Sequence, residues 1–211
     1  DILNRGLLPK DITLGTALVD MYAKCGMLGN AQQVLEELPV RDVVAWNAMI
    51  SGYAHQKQGE VALHCFQRMR NEAIFPDNVT FLCVLSACNQ MAWYDVAETL
   101  FGYMSMEYGI VPGLEHRTCM VVAFGCAGHF DKAISVINGM QCSHYTAVWV
   151  ALLGACRIWG NVELARVAFD RLFQLDYNCS AAYVLMANVF AAAGMQEDRE
   201  KVESMRLKIY C

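Results

Sequence analysis

The chain has 211 residues, 56% of them hydrophobic and 18% charged, with a formal net charge of −5 at pH 7. This apolar content supports a sizeable core and excludes an intrinsically disordered chain, and the acidic balance argues against nucleic-acid binding driven by bulk positive charge. No apolar run approaches 18 residues, so no membrane-spanning helix is expected. Residues 1–11 (DILNRGLLPKD) read as the tail of a preceding helical unit, and the first residue is Asp, which leads us to expect a fragment or a processed product. From Ile12 onward the chain divides into units of one design, each with two amphipathic helical segments and a turn. They span 12–42, 43–77, 78–113, 114–145, 146–179 and 180–211. In the first unit Leu18, Met21 and Tyr22 mark the first helix, Asn30 is a candidate cap for the second, and Pro39 ends it. In the second unit Trp46, Ile50 and Tyr53 recur at helical spacing, followed by Ala62, Phe66 and Met69.

Two landmarks fix the register. A small residue in the second helix falls at Ala31, Ala62, Ala97, Ala133 and Ala165, at spacings of 31, 35, 36 and 32. A residue early in the first helix falls at Gly15, Trp46, Phe81, Arg117, Trp149 and Tyr183, at spacings of 31, 35, 36, 32 and 34. Unrelated helices would not share that series. Two short helices cannot enclose a core, so each apolar stripe must be buried against the next copy. The predicted fold is all-α: a right-handed α-solenoid of stacked antiparallel helical hairpins, with essentially no β structure. Alanine permits close helix approach, and Gly26, Gly128, Gly160 and Gly194 mark turns within hairpins. Arg199 stands where the other units carry a small residue, so the last hairpin is expected to pack less tightly.

The ten cysteines include no CxxC pair and sit mostly beside Ala and Gly, where a thiol acts as a small hydrophobe. We expect reduced structural cysteines in an intracellular setting. His55, His64, His116, His129 and His144 have no metal-ligand spacing, and His64 and Cys65 are adjacent on a helix and point apart. No paired catalytic carboxylates, Ser-His-Asp set or phosphate loop occurs, so no enzyme activity, cofactor, metal or small-molecule substrate is expected.

The 31-residue unit with ALVDMYAKCG, the next with WNAMISGYA and the next with TFLCVLSAC resemble plant pentatricopeptide repeat proteins of the PLS class. The unit lengths match that class better than the uniform tetratricopeptide period. The resemblance makes 12–42 and 114–145 S-type units, 43–77 a P-type unit and 78–113 an L-type unit. WVALLGACRIWGNVELA and AAYVLMANVFAAAG are similar to the E region, giving 146–179 and 180–211. The chain stops where a DYW deaminase domain would follow in some members, and that domain's H-x-E and CxxC ligands do not occur.

The resemblance implies single-stranded RNA as ligand, with one base met by each repeat. A fifth residue and a last residue read the base: Thr16 with Asp42 for guanine, and Asn47 with Asp77 for uracil. Thr13, Val44 and Val79, at the second position, would sandwich bases, and Lys24 would contact phosphate. Taken alone, Thr16 and Asn47 could be polar face or capping residues, and Asp42 and Asp77 turn residues. A pair repeated at the same register favours readout. The pattern fails further on: Leu82 with Gly113, and Thr118 with Tyr145, spell no code, and His55, Gln90 and Cys126 replace the basic residue. The resemblance further implies organelle RNA processing, chiefly C-to-U editing in a mitochondrion or chloroplast. Editing-factor proteins would dock on residues after about Thr146. The alternative is a purely protein-binding helical scaffold.

Overall fold

A computed structural model describes residues 12–140 and 145–208; the tail at 1–11 and Cys142, His144 and Cys211 lie outside the described residues. The described residues form twelve α-helices and no strand. They are α1 (Ile12–Lys24), α2 (Leu28–Glu37), α3 (Val43–His55), α4 (Gly59–Asn71), α5 (Asn78–Gln90), α6 (Tyr94–Met106), α7 (Leu114–Cys126), α8 (Phe130–Asn138), α9 (Thr146–Trp159), α10 (Val162–Leu175), α11 (Ser180–Ala192) and α12 (Gln196–Leu207). This is an all-helical repeat fold of hairpins.

The turn inside each hairpin is what repeats most regularly. One residue there has positive φ: Gly26, Lys57, Ala92, Gly128, Gly160 and Gly194. These are 31, 35, 36, 32 and 34 residues apart, the series already read from the small and aromatic landmarks. Glycine adopts this conformation freely, whereas Lys57 and Ala92 do so against the clash of their Cβ atoms. In the first hairpin the turn closes with the Met27 N–H on the Tyr22 carbonyl at 2.9 Å, and α2 starts at Leu28. Asn30, expected as a cap, therefore lies inside the first turn of α2, and the N-cap residue is Met27, which makes no side-chain capping bond.

The chain forms two compact units, one ending at His116 and one starting at Arg117. In the first, the hairpins α1/α2, α3/α4 and α5/α6 stack so that α3 packs on α1 and α5 on α3. The second helix of each hairpin also meets the next first helix, α2 on α3 and α4 on α5. Trp46, Met49, Ile50, Met69, Phe81, Leu85 and Met104 are fully buried between them. Phe66 meets Phe81 edge-on at 5.8 Å, and Phe81 meets Tyr108 at 5.4 Å. The buried face of α1 is Gly15, Val19 and Ala23, in four-residue steps, while Met21 of the expected stripe is exposed. Two neighbours, α2 and α3, converge on that side and decide which face is covered.

In the second unit α9/α10 and α11/α12 are hairpins, and α11 packs on α9 and α10. Gly125 of α7 comes so close to α9 that a Cβ there would stand 2.5 Å from the Cβ of Ala155. All five register alanines, Ala31, Ala62, Ala97, Ala133 and Ala165, have no exposed surface. Arg199, at the sixth place, is partly exposed and pairs with Glu203 at 2.9 Å. Among the described residues of α12 only Val202 is buried, so this helix is held by a narrow apolar contact.

Candidate nucleic-acid interface

The linkers between hairpins place two acids at the starts of α3 and α5. Asp42 caps α3, with its Oδ1 accepting the Ala45 N–H at 2.8 Å. Asp77 caps α5, with its Oδ1 accepting the Thr80 N–H at 2.8 Å. The chain before Asp42 is anchored by Arg41, whose Nε donates to the Leu35 carbonyl at 2.8 Å and which pairs with Glu72 at 3.2 Å. Pro76 is buried just before Asp77. Each carboxylate thus satisfies backbone donors at a helix N-terminus, where negative charge is favoured.

Each cap also reaches back to the preceding first helix. The Thr16 hydroxyl of α1 donates to Asp42 Oδ2 at 3.2 Å. The Asn47 Nδ2 of α3 donates to Asp77 Oδ1 at 3.0 Å. The expected pairs are therefore side-chain hydrogen-bonded pairs, 26 and 30 residues apart in sequence, at the same ends of adjacent helices. Thr16 and Asn47 are 8% and 7% exposed, so their orientation is held by neighbours rather than averaged by solvent. Partial burial pushes the Asp77 carboxyl up, but hydrogen bonds led by those from the Thr80 N–H and the Asn47 amide outweigh it. The net effect holds this carboxyl below its ordinary value. It stays ionised at neutral pH and acts purely as an acceptor.

Thr13, Val44 and Val79 occupy the first turns of α1, α3 and α5, and all three are exposed, Val44 by 55% and Val79 by 52%. Exposed β-branched side chains at a fixed register flank the polar pairs. Thr16, Asp20 and Lys24 follow one another in four-residue steps along α1, as Asn47, Ser51 and His55 do along α3, so each set shares a helix face. A groove of about 330 Å³ runs between these faces, lined in part by Asp20, Lys24, Ser51, Gly52 and His55. Lys24 is exposed but pairs with Asp20 at 2.7 Å, which weakens the positive field it offers. His55 Nδ1 lies 2.7 Å from the Ser51 carbonyl.

Thr80 was not anticipated. Its Oγ1 lies 2.6 Å from Asn47 Oδ1 and 2.9 Å from Asp77 Oδ1, and accepts the Asp77 N–H at 3.1 Å. The signal available in sequence was the Asp-x-x-Thr spacing of a capping box, 77 to 80. The same register holds Ala45 one hairpin earlier and His116 one later. His116 is buried, with Nε2 2.8 Å from the Asn78 carbonyl and Nδ1 accepting the Gly113 N–H at 3.3 Å. At that junction Leu82 and Gly113 replace the polar pair, so the site there is structural.

Comparison with known proteins places this geometry in a family. Residues 16–43 and 116–145 match the PPR repeat, residues 41–90 the PPR repeat family and residues 159–208 the E motif. Two pentatricopeptide repeat-containing proteins of Arabidopsis thaliana are 38% and 39% identical over 202 and 208 residues, covering 94% and 97% of this chain. A third from that plant, named as mitochondrial, is 37% identical over 92% of the chain. The chain spans about a quarter to a third of the length of these relatives, 27%, 35% and 30%. The crystal structure of the pentatricopeptide repeat protein PPR10 in complex with an 18-nt psaJ RNA element aligns with a TM-score of 0.78 at 16% identity, over 99% of this chain and 32% of that one. The PPR domain of Arabidopsis thaliana protein-only RNase P 1, in complex with tRNA, aligns at 0.66 with 19% identity, over 90% of this chain and 98% of that one. Repeat period, hairpin geometry and matched motifs agree: this chain belongs to the pentatricopeptide repeat family and carries an E motif.

Proposed function

We propose that the first unit reads single-stranded RNA one base per hairpin, within a longer protein that acts in organelle RNA processing. Thr16 with Asp42 takes guanine, and Asn47 with Asp77 takes the following uracil. Thr13, Val44 and Val79 sandwich the bases, and Lys24 meets the backbone. One observation carries this reading: two successive hairpins hold the same hydrogen-bonded pair, nearly buried on one side and flanked by exposed apolar groups. A residue needed only as a cap would not have to bind a side chain of the previous first helix, yet both acids do. The RNA complex of PPR10 supports the ligand class.

Stacking and readout contribute about 1–3 kcal/mol per base, so two rungs supply about 2–6 kcal/mol. Association costs about 4–15 kcal/mol. This chain by itself therefore binds short RNA very weakly, and affinity in the longer protein comes from further repeats. Residues after about Thr146, which include the E-motif match, dock editing-factor proteins that supply deaminase activity in trans. The exposed Ile158, Trp159, Val167, Phe173 and Tyr177 of that region support a protein-facing role. The net charge of −5 keeps the protein-only scaffold as the second reading.

The test is a base swap. Asn47→Thr is expected to move the preference at that site from uracil toward guanine in a direct-binding titration. An unchanged preference removes the readout assignment. Sub-micromolar binding of a GU-containing oligonucleotide by this chain at physiological salt would place the binding surface elsewhere.

A further inference from the structure

The hydroxyl of Thr80, contributed by the hairpin after the one it serves, completes the Asn47–Asp77 pair. We propose that Thr80 is a positioning residue that locks the orientation Asp77 gives the Asn47 amide, and so strengthens the choice of uracil over cytosine at this rung. The inference rests on the base-reading role proposed above.

The ionised Asp77 can only accept, so Asn47 must turn Nδ2 toward it, as the 3.0 Å contact shows. That leaves Asn47 Oδ1 facing Thr80 Oγ1 at 2.6 Å. The hydroxyl has one proton. Were it given to Asp77 Oδ1, at 2.9 Å, the tighter oxygen–oxygen contact of 2.6 Å would be left without a proton; given to Asn47, only the longer contact is. The proton therefore goes to Asn47, and the lone pair of the hydroxyl accepts the Asp77 N–H at 3.1 Å. Thr80 has no exposed surface, so water cannot replace it. Because Oδ1 is turned toward the fully buried Thr80, the amide group left to meet a base is the second N–H of Nδ2, with the Asp77 carboxylate as the neighbouring acceptor.

A donor beside an acceptor matches uracil, whose O4 accepts and whose N3–H donates. Cytosine in the same pose carries an N4–H donor where uracil has O4 and a bare N3 where uracil has N3–H; turning the amide to present oxygen would relieve the first of these mismatches. Thr80 opposes that turn. The preceding rung has Ala45 at this register, with no hydroxyl to add to the bond between its reader Thr16 and Asp42. The two rungs of one chain thus differ in how rigidly the reader is set.

Thr80→Val removes the hydroxyl at constant shape, Thr80→Ser keeps it, and Thr80→Ala copies the Ala45 that the fold already accommodates. Two readouts are taken on each. The first is the Asn47 side-chain NH₂ resonance pair by NMR without RNA, which is expected to shift and broaden in the Val and Ala variants and to return in Ser. The second is the ratio of binding to oligonucleotides with U or C at this rung, by NMR titration to millimolar RNA. That ratio is expected to fall about fivefold in Val and Ala, the scale of one hydrogen bond. It is expected to recover in Ser, while guanine preference at the Thr16 rung stays unchanged. A purely structural role would weaken U and C binding equally and leave the ratio alone, which overturns the proposal, as does an unmoved NH₂ pair. A wild-type chain with no base preference at either rung, yet with a responsive NH₂ pair, overturns the base-reading itself and the specificity role with it.

Discussion

Replacing Asp77 by Ala should cost the first unit more than replacing Asp42, because the two acids do unequal work. Asp77 Oδ1 accepts the Thr80 N–H at 2.8 Å and the Asn47 amide at 3.0 Å, beside a threonine with no exposed surface. Losing an N-cap costs about 1 kcal/mol. Losing the bond from the nearly buried Asn47 to a charged acceptor adds about 1.5–3 kcal/mol, so the total is about 2.5–4 kcal/mol. Asp42 accepts the Ala45 N–H at 2.8 Å but Thr16 only at 3.2 Å. The cap is again about 1 kcal/mol and the longer bond about 0.5 kcal/mol, or about 1.5 kcal/mol together. Asp77→Asn keeps the cap and should cost under about 1 kcal/mol. Urea denaturation followed by CD gives the ordering, and hydrogen exchange at the Thr80 amide localises the loss. The carboxyl of Asp77 titrates lower in the folded chain than in the unfolded one. Its contribution is therefore complete above the unfolded value of about 3.9 and is lost as pH falls through the folded value. The Asp77→Ala penalty should be level from about pH 5 to pH 8 and shrink below about pH 4. An Asp42→Ala cost equal to or above that of Asp77→Ala would refute the reasoning, as would a penalty that grows in acid.

The positive-φ turns make a prediction of opposite sign. Lys57 (φ 58°) and Ala92 (φ 58°) are exposed, and a left-handed residue with a Cβ costs about 1–2 kcal/mol. Glycine regains that but adds about 0.4–1 kcal/mol of unfolded-state entropy. Lys57→Gly and Ala92→Gly should each stabilise by about 0.5–1 kcal/mol, read as a higher urea midpoint at unchanged slope; a lower midpoint in both would count against the turn argument. In the second unit, Gly125→Ala would place a Cβ 2.5 Å from that of Ala155. Overpacking of this kind costs about 1–3 kcal/mol, and a thermal scan with no shift would mean α7 and α9 separate freely.

The sequence alone determined the repeat. Each hairpin is buried only by its neighbours, so the period is a local property, legible in Ala31 through Ala165 and again in the glycines of the turns. It also placed Thr16, Asp42, Asn47 and Asp77 at one register. Tertiary structure decided the rest. Which face of α1 is covered depended on α2 and α3 converging on Val19 and Ala23, which no stripe within α1 encodes. The left-handed turns at Lys57 and Ala92 carry no glycine to announce them; the stacking of the hairpins imposes the bend. The union of Asn47, Asp77 and Thr80 spans 33 residues and two hairpins. Hydrogen-bond direction is set by distances of a few tenths of an ångström between side chains far apart in the chain, and these exist only once the helices have packed.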